Sequence, residues 1–431
     1  KVTGVQTCAL PISAFVWALR QKRKCSVHTA RMHNLTISFW RGIMKKQLLT
    51  TTAMVAAGVL TISGSALADK PKLTLGGSTE QIFGVGNNDD AFDAANGQRV
   101  GFDQHSDGEI HFNGSVTLDN GIKIRTRVEL ESNTESNAGG GETANVAHGT
   151  QGDTIDEHWM RISGSFGEVR LGSGDPAAQA MTTGYLGTWA PSVGLLMAFD
   201  SNDWVSKPGT VGAAAQLVGR VDLSSDGEHI SYFTPRFAGF QAGISYVPSR
   251  DEDINNQRAV AGGNDDYEGW SLGLNFNKKF GGVGVGVAAG YMTMNESTVG
   301  RSDPEVWGIG SRIDFSGFRI AMSWVERDDQ TTGGATSVAG KESFEIGARY
   351  TFGPNAVSIT HANHETTADT NANGDGDESK VTFIAYRRTL GPGVFWRVTG
   401  IFADHNDAAA GATAATSNSG EALTTSLLVR F

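Results

Sequence analysis

The chain has 431 residues, 39% of them hydrophobic and 19% charged, with 56 glycines, 10 prolines and two cysteines. That is too apolar for a disordered chain, and after residue 68 no run supplies the roughly 20 apolar residues of a membrane helix. Nine of the 35 Lys/Arg and none of the 46 Asp/Glu lie in residues 1–68, which leaves a net charge of −20 on the rest and argues against nucleic acid as a partner, since phosphate contacts need clustered Lys/Arg.

Residues 1–43 precede Met44 and read as upstream sequence outside the fold. Residues 44–68 carry Lys45 and Lys46, then an apolar small-residue core, then Ala66-Leu67-Ala68. This pattern predicts a secretory signal peptide cut before Asp69. Both cysteines, Cys8 and Cys25, fall upstream. The segment 69–431 therefore offers no disulfide framework, thiolate nucleophile or cysteine metal site.

From there on the pattern has period two, the signature of strands. In 122–130, Ile122, Ile124, Val128 and Leu130 face one way, and Lys123, Arg125, Arg127 and Glu129 the other. In 270–277, Trp270, Leu272, Leu274 and Phe276 oppose Ser271, Gly273, Asn275 and Asn277. Trp307, Ile309, Ile313 and Phe315 oppose Gly308, Gly310, Arg312 and Asp314; Phe344, Ile346, Tyr350 and Phe352 oppose Glu345, Gly347, Arg349 and Thr351. The last segment sets Leu423, Leu427, Val429 and Phe431 against Thr424, Ser426 and Arg430.

The connections alternate as well. Short turns fall at 119–121, 165–167, 236–239, 278–282, 316–317, 353–355 and 391–393. Longer polar stretches lie near 86–107, 133–153, 174–218, 249–267, 295–304, 328–341, 365–379 and 405–420. These seven turns and eight loops predict an all-β fold: a 16-stranded antiparallel transmembrane β-barrel over 69–431, with short periplasmic turns and long external loops. A soluble sandwich shows the same alternation. Segments of about 9–12 residues and aromatics gathered near strand ends favour the membrane.

Two stretches carry a family resemblance. Phe166-Gly167-Glu168-Val169-Arg170-Leu171-Gly172 resembles the fifth strand of Gram-negative outer-membrane porins of the general diffusion type, particularly their α-proteobacterial branch. Tyr232-Phe233-Thr234-Pro235-Arg236-Phe237-Ala238-Gly239-Phe240 resembles the strand–turn–strand signature after their third loop, and Phe431 ends the chain as in these porins. The enteric pore-loop signature is not matched. The resemblance implies a water-filled homotrimeric channel in the Gram-negative outer membrane, among lipid and lipopolysaccharide. It also implies that Phe431 is part of the signal read by the barrel-insertion machinery.

In such a channel the constriction loop is 174–218, with acids Asp175, Asp200 and Asp203 and one cation, Lys207. Asp175-Pro176 predicts a short helix with Asp as N-cap and Pro at N1. The facing wall is basic: Lys123, Arg125 and Arg127, with Arg161, Arg170 and Arg220 in addition. An acidic loop against a basic wall sets a transverse field that polar solutes tolerate and apolar ones do not. The net charge of −20 and the acidic external loops raise the cation concentration at the mouths and predict a cation-preferring channel, while the basic wall works against this at the constriction.

No cofactor is expected. Asp369-x-Asn371-x-Asn373-Gly374-Asp375-x-Asp377 starts like a calcium loop; its twelfth position is Lys380 rather than Glu, so 369–377 reads first as an acidic solvated loop, with an adventitious calcium site as the weaker alternative. Gly282-x-Gly284-x-Gly286 falls in a strand, with no helix after it to make a dinucleotide loop. His361 and His364 lack further ligands, and no metal set is nominated. An enzymatic barrel needs an activated nucleophile, and none is nominated. A closed structural or adhesive barrel needs a bulky inward phase, whereas this one is rich in Gly, Ser, Thr and Asn.

Overall fold

A computed structural model describes residues 70–131, 155–187, 190–194, 201–209, 211, 219–224, 227–250, 267–332, 335–366, 376–408 and 413–431. The signal-peptide region, both cysteines, Asp200 and positions 369–375 of the calcium-like run lie outside these.

The strands are β1 (Lys72–Asn87), β2 (Phe102–Thr117), β3 (Lys123–Glu131), β4 (Ile155–Gly164), β5 (Gly167–Gly172), β6 (His229–Phe233), β7 (Phe240–Ser249), β8 (Tyr267–Phe280) and β9 (Val283–Asn295). They continue as β10 (Glu305–Phe315), β11 (Phe318–Arg327), β12 (Gln330–Thr332), β13 (Ala335–Val338), β14 (Lys341–Phe352), β15 (Asn355–Thr366), β16 (Glu378–Gly391), β17 (Val394–Asn406) and β18 (Asn418–Arg430). Sixteen of them form one closed antiparallel barrel, each bonded to its chain neighbours, with β1 closing on β18. At the seam Ser78 sits opposite Arg430, and Gly77 and Phe431 exchange backbone hydrogen bonds of 3.1 and 3.0 Å.

All seven turns and eight loops fall where the alternation breaks. Ser316 and Gly317, with φ of 46° and 85°, join β10 to β11. Two consecutive positive φ values make the primed turn whose twist matches a hairpin. Three loops differ from expectation. The first, expected near 86–107, ends sooner, because β2 already begins at Phe102. The stretch 328–341 contains the separate pair β12–β13. The third loop extends to residue 228, so Arg220 lies within it and not just after it. The reason is apolar: Val221 and Leu223 leave the sheet direction and bury inside the barrel with Leu186, Met292, Val306 and Val325.

Burial is inverted relative to a soluble sheet. Leu272 and Leu274 on the outer face of β8 are 46% and 49% exposed, while Ser271, next to Leu272 on the inward phase, is fully buried. Only lipid makes an outer apolar face favourable on every strand. Aromatics collect on that face at the turn end, where Phe318 stacks between Phe315 and Tyr350 at 5.5 and 4.3 Å. A second group, including Tyr246 and Trp270 at 5.1 Å, lies towards the loop end. These are the two interfacial belts of a membrane barrel.

Candidate functional site

The third loop folds into the barrel and is held there by the wall. Its first turns form α1 (Ala177–Thr182). The expected cap is corrected: Pro176, not Asp175, is the N-cap, and no local side chain caps the helix. The wall does so instead. Ala177 N–H donates to Ser245 Oγ at 2.7 Å and Ala178 N–H to Ser271 Oγ at 2.8 Å. These are two of the donors that any helix start leaves without intrahelical partners.

The same device continues around the wall. Gly187 N–H donates to Ser323 Oγ at 3.0 Å and Val193 N–H to Ser358 Oγ at 3.1 Å. Guanidinium groups of Arg312, Arg319 and Arg397 donate to the carbonyls of Gly184, Ala190 and Gly194 at 3.1, 3.2 and 3.3 Å. Further on, Trp204 and Val205 bury against Val381, Phe383, Ile401, Ala403 and Ala422. Glycine in the inward phase makes room for this path. A Cβ on Gly273 would run into the Ala177 carbonyl, and one on Gly310 into the Tyr185 carbonyl. The small inward residues thus seat the loop, and beneath it the wall also turns inward bulky groups such as Met292 and Phe383.

Across the lumen stands a row of arginines. Register sets Arg125 opposite Arg161 and Arg161 opposite Arg170, on β3, β4 and β5. Glu168 bridges the outer two, 3.1 Å from Arg125 and 2.6 Å from Arg170. Arg161 lies over the Trp159 ring at 3.7 Å, and Arg170 over Phe233 at 4.2 Å. One step nearer the loops, Arg127 donates to Glu129 at 3.0 Å and to Asn113 at 3.2 Å. Lys123 stands exposed at the turn end, opposite Ser163.

The two described loop acids, Asp175 and Asp203, sit elsewhere. Asp203 reaches His105 on β2 at 3.5 Å, where the His105 ring stacks on Trp204 at 4.7 Å. Asp175 lies at the base of the loop, where burial pushes its carboxyl up to about 6 against the opposing pull of Arg220. Among the described residues, the ion partners of Arg125, Arg127 and Arg170 are wall carboxylates.

Further inward arginines complete the picture. Arg319 faces Arg349 directly across β11 and β14, and Arg387 faces Arg397 across β16 and β17. Among the described residues their counterions are Asp314, 2.6 Å from Arg319, and Glu80, 3.2 Å from Arg397. The signal was present in the alternation, which already puts Arg312 and Arg349 on the inward phase. Strand direction sets their height, and all lie towards the turn end. Asp107, Glu109, Glu129, Glu131 and Glu157 lie inward towards the loop end. On β2–β4 the lumen wall is thus acidic towards the loops and basic towards the turns.

A family model described as Gram-negative porin matches residues 50–417. Outer membrane porin protein 32 of Delftia acidovorans is 28% identical over 214 residues, which cover 48% of this chain and 52% of that protein. The chain thus aligns with about half the length of this curated relative. Among solved structures, an anion-selective porin from Comamonas acidovorans matches with a TM-score of 0.54 at 16% identity, covering 84% of this chain and all of that one. The trimer form of OmpT, an outer membrane protein of Vibrio cholerae, matches with a TM-score of 0.52 at 9% identity, covering 84% of this chain and all of that one. A closed barrel of sixteen strands with an inward third loop, and a family match over most of its length, make this chain a member of the Gram-negative porin family.

Proposed function

We propose that the barrel is a passive outer-membrane channel for ions and small hydrophilic solutes, narrowed where the pinned third loop faces Arg125, Arg161 and Arg170. The observation that carries this reading is the loop's attachment: its backbone is tied to wall serines on β7, β8, β11 and β15, while the arginine row on β3–β5 is neutralised only in part by Glu168. A fixed loop facing under-compensated guanidinium groups favours hydrated, polar and especially anionic solutes. Acids at the loop end concentrate cations at that mouth, but the charges nearest the narrow passage weigh most because screening falls off over about 10 Å at 0.1 M salt.

Reversal potentials across a planar bilayer in a KCl gradient test this. Wild type is expected to prefer chloride at low salt. Arg125→Ala with Arg161→Ala should shift the preference towards potassium. For an ion about 8 Å away in water, each charge contributes about 0.5 kcal/mol and acts oppositely on cation and anion. Two charges, screened at 0.1 M salt, then change the permeability ratio by roughly fourfold. A wild type without conductance defeats the channel reading and leaves the closed-barrel or enzymatic alternatives.

We also infer a homotrimer. Gln81, Ser106, Thr126 and His158 break the outward apolar phase of β1–β4, and Gln104 donates to Gln81 at 3.1 Å on that face. Polar groups facing hydrocarbon are costly, whereas a subunit contact satisfies them. Lipopolysaccharide at the loop-end belt, and recognition of Phe431 by the insertion machinery, belong to the same reading. The motifs at 166–172 and 232–240 support its α-proteobacterial branch.

A further inference from the structure

Glu109 and His111 stand two residues apart on β2 and share its inward face. Register places Glu129 of β3 directly opposite His111. His111 Nε2 lies 3.0 Å from Glu109 Oε2 and 3.1 Å from Glu129 Oε2, and the three donor atoms all lie within 4.8 Å of one another. Around a tetrahedral zinc with bonds of about 2.0–2.1 Å, neighbouring donors stand roughly 3.3–3.4 Å apart. Two of the three spacings are therefore within a few tenths of an ångström of a metal shell.

The donor chemistry and charge agree. One imidazole with two carboxylates suits zinc, whereas calcium and magnesium take oxygen alone. Glu109, Glu129 and the adjacent Glu157 face one guanidinium, that of Arg127, 3.0 Å from Glu129 and 4.0 Å from Glu157. By formal count these three carboxylates outnumber that guanidinium by two, the complement of a divalent ion. The Glu129 side chain is 7% exposed, and Arg127 orients it. Those of His111 and Glu109 are 17% and 35% exposed, so one flank remains open to lumen water for the fourth position. Both strands belong to the rigid wall, and the site needs no loop closure.

We propose that Glu109, His111 and Glu129 form a zinc-class divalent cation site in the lumen wall, on the loop side of the arginine row. Its effect on permeation rests on the channel reading above; its binding does not. Occupancy would add two positive charges beside Arg127 and raise the preference for anions.

Titration calorimetry of the detergent-folded barrel with Zn²⁺ tests the binding. Wild type should bind one zinc per chain, and Mg²⁺ at the same concentrations should give no heat. His111→Ala should weaken zinc binding by about 10- to 100-fold or more, the range that loss of supporting groups alone already produces. His361→Ala, on the outward phase of β15, should leave it unchanged. Heat-modifiable migration in a gel reports folding; should His111→Ala fail to fold, Glu109→Gln at the more exposed ligand takes its place. Equal zinc binding by wild type and the ligand variant overturns the proposal, as does the absence of binding below millimolar zinc. In bilayers, zinc should shift the wild-type reversal potential towards anions and leave that of the ligand variant unmoved. Zinc that binds without moving the potential keeps the site and counts against the channel reading.

Discussion

Ser245→Ala with Ser271→Ala should loosen the third loop without disturbing the barrel. The two hydroxyls accept from the N–H groups of Ala177 and Ala178 at 2.7 and 2.8 Å, and both serines are essentially inaccessible to water. Alanine adds no bulk; it removes the two acceptors and, at Ser245, also the 2.6 Å hydroxyl contact with Ser231 inside the wall. Each orphaned buried N–H costs about 1–3 kcal/mol, so the pair costs roughly 2–6 kcal/mol of loop attachment. At 1.4 kcal/mol per decade, the equilibrium for loop detachment shifts by roughly 30-fold to 10⁴-fold. Burial of Ala177 and Met181 against Phe233 still favours the docked state. The expected outcome is therefore frequent transient opening. Single-channel records should show added flicker and a larger mean conductance, and limited proteolysis should cut the loop in the folded barrel. Heat-modifiable migration should remain. Unchanged noise, conductance and cleavage would refute the idea that wall serines fix the loop, and would assign that role to the apolar contacts of Trp204 and Val221.

The base of the loop should respond to pH through Asp175. Its folded pKa of about 6 is raised above the usual carboxylate value, so its contribution to docking is complete below about pH 4 and is lost as pH rises through 6. Loop cleavage should increase between pH 5 and 7 in wild type, and Asp175→Asn should remove that dependence. Phe431→Ala tests a different role: the side chain is 63% exposed on the outer face, while its backbone closes the seam with Gly77. The variant should refold in detergent with stability close to wild type, yet accumulate less folded barrel in the outer membrane of cells. Equal accumulation would remove the signal role.

Strand number, phase and polarity were legible because each depends on neighbours along the chain. Side chains alternate with period two, so Leu272 and Arg125 declare their faces wherever their strands pair. Turn chemistry is equally local, and Ser316-Gly317 marks a hairpin by itself. The candidate site was legible by halves. Phase put Arg125, Arg127, Arg161 and Arg170 on the lumen side; acids of the third loop were expected to face them, and among the described residues the ion partners of Arg125, Arg127 and Arg170 are Glu168, Glu129 and Glu157 on the wall.

What the tertiary structure decided is everything that depends on register between distant segments. The row Arg125–Arg161–Arg170 exists because three strands align, and the Glu109–His111–Glu129 cluster because β3 stands at one register against β2. The third loop's path is the clearest case. Its N–H groups found acceptors on serines 68 to 165 residues away in sequence, which no local cap signal announces. Inward glycines looked like empty lumen and proved to be its seat. The sequence settles which way each side chain faces because that is a property of one strand; which groups meet inside the barrel is settled only when the barrel closes, because those distances are set by the sheet and not by the chain.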